Sequence, residues 1–504
     1  MTWPGRAWIV SGAVLMGLLA PAIRPPASSA PSALQIAQPS DSLPAWLEAV
    51  VDGRLDRAHW GVAVYDLGAA RWVTLYNADR WFVPASNLKL VVSATALERL
   101  GPDYVFRTGL YGTGLIEDGE LEGDLVLYGR GDPNLSGRHA PGMLSIFEGL
   151  ADSLVARGLE RVRGDLVADE SFFDDDRTRG DWAAYDLLWW YAAPVGALGF
   201  NDNSIDVHIR PGAGVGKPPV VEGEPQSAFY TLENRATTGP AGSDVTFDLT
   251  RDPGTNRIVA YGSLPLDAEP RIEYFAVFDP ARWAGTVFRE VLEARGVEIE
   301  GKTRSVSSPR DSPVTAGDAI HLVSHASVPL GKVVEAINGR SQNWHAEQVL
   351  KTLGRELRGE GSWKAGLEVE RETLDRLGVD TLDFELRDGS GLASTNLATP
   401  RGLATLLVRA VDRPWGDLFA ASLPVAGRTG SLRRRYLGTE AEDRVRAKTG
   451  FIENVYALSG YLTTAAGREY AFSVIVNGIG AGIEEEAQEA IDRLVVELVE
   501  GRAP

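Results

Sequence analysis

The 504-residue chain contains no cysteine. Disulfides, thiol catalysis and thiolate metal sites are therefore excluded. Histidine is scarce, with six residues in all. Two of them, His321 and His325 in HLVSH, sit four apart but lack the glutamate of a zinc-protease helix, so they read as surface or core residues. No Gly-x-Ser-x-Gly elbow occurs, which removes an α/β-hydrolase. Positive charge is also short: 50 Lys and Arg face 69 Asp and Glu, a formal net charge of −19. A body this acidic repels phosphate backbones, so nucleic acid is not an expected partner. Beyond residue 30, no stretch approaches the roughly 20 apolar residues needed to span a bilayer.

What is present is ordinary for a globular protein, with 44% apolar and 24% charged residues. The length suits two to four domains. Residues 1–30 have the form of an export signal. Arg6 and the free amine give a short positive region, an apolar run follows from Ala7 to Ile23, and Ser28-Ser29-Ala30 offers small residues for cleavage. Retention of the segment as an anchor is the alternative. Either way the body is expected outside the cytoplasm, in the periplasm or on the extracytoplasmic face of the envelope.

Residues 31–43 read as a Ser/Pro/Ala linker. GVAVYDL and RWVTLYN, joined by Gly68-Ala69-Ala70, predict a hairpin over 61–77. Ser86 to Leu100 has apolar residues on helical spacing and is stopped by Gly101-Pro102. Near the other end, 446–452, 456–463 and 470–477 predict strands, and 484–500 an amphipathic helix with acids in its first turn. The two ends together predict an antiparallel sheet flanked by helices, an α+β domain made of 31–102 and 318–504. The interval 103–317, dense in Gly, Pro and Asp with many short β-like runs, predicts one or two mostly-β inserted domains.

Three short motifs carry candidate chemistry. Ser86-Asn87-Leu88-Lys89 places a hydroxyl and an amine one helical turn apart on a shared face. A serine hydroxyl is a poor nucleophile until a base takes its proton, and a lysine serves as that base only when burial or neighbouring positive charge lowers its pKa from ~10.4. Ser341-Gln342-Asn343, after an expected helix over 330–337 and a turn at 338–340, offers a proton relay in Ser341 and a positioning amide in Asn343. Lys448-Thr449-Gly450 opens a strand; its cation and hydroxyl suit a carboxylate, and Gly450 allows a substrate to lie close to the strand edge. Each tripeptide alone is uninformative. Their order and their places on helix, loop and strand match the signature of penicillin-recognising serine enzymes.

Further segments extend the resemblance. Pro84-Ala85-Ser86, GDPNL at 131–135, YAAPVGALGFNDN at 191–203, the D-G-S-G-L run Asp388–Leu392, LPVAG at 423–427 and ALSGY at 457–461 all contribute. With the three motifs, the chain over about 45–480 resembles the D-alanyl-D-alanine carboxypeptidase/endopeptidase family, the low-molecular-mass class C penicillin-binding proteins. About half of the chain separates Ser86 from Ser341, and in that family this interval holds two inserted domains. The resemblance implies a serine β-lactamase/transpeptidase-like fold with a five-stranded antiparallel sheet. It implies a hydrolase acting on peptidoglycan stem peptides through an acyl-enzyme, covalently inhibited by β-lactams, with no metal or cofactor.

In that reading Ser86 is the nucleophile and Lys89 its base, kept neutral by Lys448 and by hydrogen bonds from Asn343. Ser341 relays a proton, Lys448 and Thr449 bind the terminal carboxylate, and Gly450 and Phe451 line the substrate strand. Phe451 departs from the family, which usually has Thr or Ser there. Its backbone N–H still serves the oxyanion hole, while a hydroxyl contact to carboxylate is lost. Ser390 is a rival nucleophile without a lysine three residues on, since Ala393 stands there. A β-lactamase, which differs in deacylation speed, and a non-catalytic peptidoglycan-binding protein remain alternatives; intact Ser86, Lys89 and Lys448 argue against the latter. No motif speaks to oligomeric state or to the balance of carboxypeptidase and endopeptidase action.

Overall fold

The computed structural model describes Glu48 and residues 53–502. The export-signal reading of 1–30 and the linker at 31–43 lie outside the described residues. Among those described, no helix is long and apolar enough to cross a membrane.

The two chain ends build one sheet. His59–Asp66 and Arg71–Tyr76 form the expected hairpin, its turn held by the Asp66 carboxylate accepting from Ala69 N–H at 2.8 Å. Val445–Ile452, Val455–Thr463 and Glu469–Asn477 form an antiparallel meander. Glu469–Asn477 pairs antiparallel with His59–Asp66, which closes a five-stranded antiparallel sheet. Val445–Ile452 is one edge of it. One face packs under the C-terminal helix Glu484–Glu500 through Trp60, Val62, Leu458, Phe472, Val474, Ile491 and Leu494.

The opposite face packs on helices. Lys89–Arg99 lies at the centre, with every residue from Lys89 to Leu97 buried. Its spacing predicts one apolar face, but a helix flanked on all sides has no solvent face to keep polar. It contacts Leu330–Gly339, Asn343–Arg358 and Trp363–Leu377. The polar Ser93 on its buried surface is satisfied by Asn338 Oδ1 at 3.1 Å. Each fully buried Leu or Val of this helix contributes about 1.5–3 kcal/mol of transfer free energy.

Between the ends, Arg107–Gly112 opens a second five-stranded sheet that Ile320–Ala326 closes by antiparallel pairing. Helices Ser145–Val155 and Pro280–Glu293 pack against that sheet. Smaller sheets, including those around Ser204–Arg210 and Arg257–Tyr261, complete this part, which has a hydrophobic core of its own centred on Phe147, Phe200, Trp283 and Phe288. His321 and His325 lie on the closing strand rather than on a helix.

Candidate active site

Pro84 precedes a 3-10 turn, Ala85–Leu88, that carries Ser86 and runs into the helix starting at Lys89. Ala85 adopts a left-handed φ of 47°, uncommon for a residue with a side chain. This kinked entry leaves Ser86 half-buried at the mouth of the helix while Lys89 is wholly enclosed. Lys89 Nζ meets three oxygens: Ser86 Oγ at 2.8 Å, Asn343 Oδ1 at 2.6 Å and the Ser390 carbonyl at 2.6 Å. An ammonium donates to all three. A neutral amine donates to two and accepts from the Ser86 hydroxyl, so one contact reverses as the proton moves.

Burial drives the Lys89 amine down to about 7, against the opposing pull of the Asp388 and Glu347 carboxylates. Of the two causes expected, burial and a neighbouring positive charge, burial is the one that acts. Desolvation lowers the pKa, and Asn343 receives a hydrogen bond from Lys89 rather than giving one, because its NH2 group donates to the Tyr191 carbonyl at 2.7 Å. Lys448 is as deeply buried, and its amine lies well below its ordinary value, first through burial and then through repulsion by Lys89. Its Nζ donates to Ser341 Oγ at 2.9 Å and to the Thr449 carbonyl at 2.7 Å.

Ser341 links two helices, Leu330–Gly339 and Asn343–Arg358, and carries a left-handed φ of 59°. The expected turn at 338–340 begins later, since the first helix runs through Gly339. A non-glycine residue held there stores strain of about 1–2 kcal/mol, which packing must offset. That backbone turns the Ser341 hydroxyl to Lys448 and starts the next helix at Asn343, facing Lys89.

Gly450 has a further purpose. A Cβ there would lie 2.8 Å from the Pro84 carbonyl and 3.3 Å from Ala85 Cβ, so glycine lets the edge strand approach the nucleophile turn. Asn87 ties the same two elements together: its side-chain NH2 reaches the Lys448 carbonyl at 2.8 Å and its oxygen the Ser459 hydroxyl at 2.8 Å. Thr449 Oγ1 lies 2.7 Å from Ser431 Oγ. Phe451 is 57% exposed, its ring against Tyr456 with centroids 4.8 Å apart.

The Asp388–Leu392 loop closes the back. The Asp388 carboxylate accepts from Trp182 Nε1, Gly391 N–H, Ala393 N–H and the Asn396 amide. Glu347 accepts from Ser390 N–H at 2.7 Å, Gly389 N–H at 3.1 Å and Trp363 Nε1 at 2.8 Å. Burial pushes its carboxyl up to about 7, while those three donors favour the anion. Ser390 Oγ is buried, beside Leu392 N–H, and Lys89 meets only the backbone of Ser390.

Ser86, Lys89, Ser341, Asn343, Lys448 and Thr449 thus converge, with Gly450 beneath and Phe451 at the rim. Sequence reasoning missed Asn87, Glu347, Ser431, Trp182 and the Tyr191 carbonyl. Glu347 had a signal, since it lies four residues after Asn343 on one helical face. Ser431 had none.

Comparison with known proteins follows the same lines. The model of the D-Ala-D-Ala carboxypeptidase 3 (S13) family matches residues 45–498. A D-alanyl-D-alanine carboxypeptidase of Actinomadura sp. is 37% identical over 491 residues, covering 95% of this chain and 88% of the relative. D-alanyl-D-alanine carboxypeptidase DacB of Haemophilus influenzae is 26% identical, covering 82% and 85%. Among solved structures, penicillin binding protein 4 of Haemophilus influenzae superposes with a TM-score of 0.78 at 24% identity, covering 90% of this chain and 98% of that one. That likeness is one of fold.

Proposed function

Because the chain belongs to the D-Ala-D-Ala carboxypeptidase 3 (S13) family, we propose that the cluster around Ser86 is the machinery with which this serine-type D-Ala-D-Ala carboxypeptidase cuts peptidoglycan stem peptides. The observation that carries the assignment is the 2.8 Å contact between the fully buried Lys89 Nζ and the half-buried Ser86 Oγ.

Ser86 Oγ bonds to the carbonyl carbon between two D-alanines, and its proton passes to neutral Lys89. The backbone N–H groups of Ser86 and Phe451 hold the oxyanion. As the C–N bond breaks, Ser341, held by Lys448, gives its hydroxyl proton to the leaving amine and is reprotonated with the proton that Lys89 took from Ser86, so Lys89 is neutral again. Water then attacks the acyl-enzyme, gives a proton to Lys89, and Lys89 returns it to Ser86 Oγ as the ester C–O bond breaks and the peptide leaves as a carboxylate. Lys448 and Thr449 hold the terminal carboxylate, and Asn343 orients Lys89. A β-lactam, whose strained amide presents a similar carbonyl and carboxylate, acylates Ser86 and is a covalent inhibitor. The proposed substrate and the sequence pattern of residues 1–30 support a location outside the cytoplasmic membrane, in the periplasm or on the extracytoplasmic face.

The test is labelling by a fluorescent penicillin with mapping of the modified peptide. The label is expected on Ser86 and to be lost in a folded Ser86→Ala protein. A label on Ser390, or undiminished labelling of the Ser86→Ala protein, would overturn the assignment.

A further inference from the structure

At the Ser341 and Thr449 end of the cleft lies an open groove of about 740 Å³. Its lining includes Arg138, Lys332, Glu335, Arg340, Ser431 and Arg433. Arg340 immediately precedes Ser341, and Ser431 bonds the Thr449 hydroxyl, so the groove begins where the reactive site ends. Lys332 and Glu335 pair with each other at 2.8 Å, and Arg138 pairs with Asp202. Arg340 and Arg433 are both exposed, and neither makes an ion pair among the described residues. Arg340 acts only across a distance on the Asp202 carboxylate, which Arg138 already pairs, so a protein of net charge −19 keeps two guanidiniums without a contacting carboxylate facing one groove beside its catalytic centre.

We propose that this groove is a leaving-group site for an acidic peptide: the second stem of a cross-link, whose free carboxylates Arg340 and Arg433 recognise. The proposal rests on the catalytic assignment above. In that assignment the leaving amine departs past Ser341, and Lys448 and Thr449 take the carboxylate next to it. A single D-alanine ends there, while a cross-linked stem continues beyond, into the groove. Arginine suits the purpose, because its planar fork matches carboxylates bidentately and stays charged. Arg138 also gives the inserted part of the chain a share in one groove wall. The groove therefore biases the enzyme towards cross-links over free D-Ala-D-Ala ends.

The experiment compares wild type, Arg433→Glu and Arg340→Glu/Arg433→Glu on three substrates. These are an uncross-linked pentapeptide ending in D-Ala-D-Ala, a cross-linked dimer with free carboxylates on its leaving stem, and the same dimer with those carboxylates amidated. Wild type is expected to favour the carboxylate dimer over the amidated one. The double variant should lose about tenfold more kcat/KM on the carboxylate dimer than on the pentapeptide, with a smaller loss for the single variant. Melting temperature and penicillin labelling check the fold. Equal losses on both dimers, or wild-type indifference to amidation, would overturn the groove assignment while leaving the catalytic one intact. Failure of wild type to be labelled by penicillin or to cut any of the three would instead remove the catalytic reading.

Discussion

Three lysines of this protein are completely buried, and they divide by region. Lys351 sits on the seam between the Asn343–Arg358 helix and the inserted part of the chain. It donates to the Asp174 carboxylate at 2.6 Å and lies 4.0 Å over the Trp363 ring. Lys89 and Lys448, on the floor of the cleft, touch hydroxyls, an amide oxygen and backbone carbonyls, with no carboxylate in hydrogen-bond contact. Burial lowers all three amines. On the seam a contact ion pair with Asp174 opposes that shift. In the cleft, carboxylates act on Lys89 only across a distance, and its proton stays exchangeable near neutrality. A buried cation with an anion in contact is architecture; one held by neutral oxygens is available for proton transfer.

The largest expected effect tests that division directly. Lys89→Ala should slow penicillin acylation by about a thousandfold or more, the range of a lost general base, with unfolding temperature unchanged or raised because a costly buried amine has gone. Lys351→Met should do the reverse, losing about 2–3 kcal/mol of stability as Asp174 loses its partner while acylation stays within about threefold. Acylation kinetics beside thermal unfolding distinguish the two. Loss of acylation in a stable Lys351→Met protein would end the comparison.

The pH profile sharpens it. In the proposed mechanism Lys89 is a base only when neutral, so with a pKa of about 7 the acylation rate constant should climb about tenfold per pH unit below 7 and level off above. Glu347 raises the Lys89 pKa by its charge. Replacing it by glutamine should therefore move the acidic limb to lower pH. The plateau should also drop about ten- to a hundredfold, since the Gly389 and Ser390 N–H groups lose part of their acceptor. Glu347→Asp should recover part of both effects. A lower plateau with an unmoved limb would reduce Glu347 to a brace for the loop.

The smallest effect concerns the rim. Phe451 is exposed against Tyr456, so Phe451→Thr should change stability by less than about 1 kcal/mol. The restored hydroxyl should raise kcat/KM on free D-Ala-D-Ala ends a few-fold, up to about tenfold, and less on cross-links. Equal proportional change on both substrates would show that the side chain at 451 takes no part in carboxylate recognition.

Elements with strong local patterning are legible in the amino-acid sequence. The hairpin, the helix after Ser86 and the three C-terminal strands fall within a few residues of their sequence-based limits, because alternation and helical spacing are properties of short windows. The site residues are legible as a set because three motifs keep their order. What escapes depends on neighbours distant in sequence. Nothing near Ser431 announces that its hydroxyl meets Thr449, and nothing in the D-G-S-G run says that its value to Lys89 is the carbonyl of Ser390. The direction of the Lys89–Asn343 hydrogen bond follows from Tyr191, about 150 residues away by the chain.

The sequence by itself determined which residues are candidates for chemistry, their order, and the helix and strand on which the two lysines sit. Only the tertiary structure decided that burial lowers the pKa of both amines, that Ser341 is held at a left-handed φ facing Lys448, and that Gly450 admits the turn carrying Ser86. Secondary structure follows from interactions a few residues apart, whereas desolvation, strain and close approach exist only once elements far apart in the chain have closed around the same few atoms.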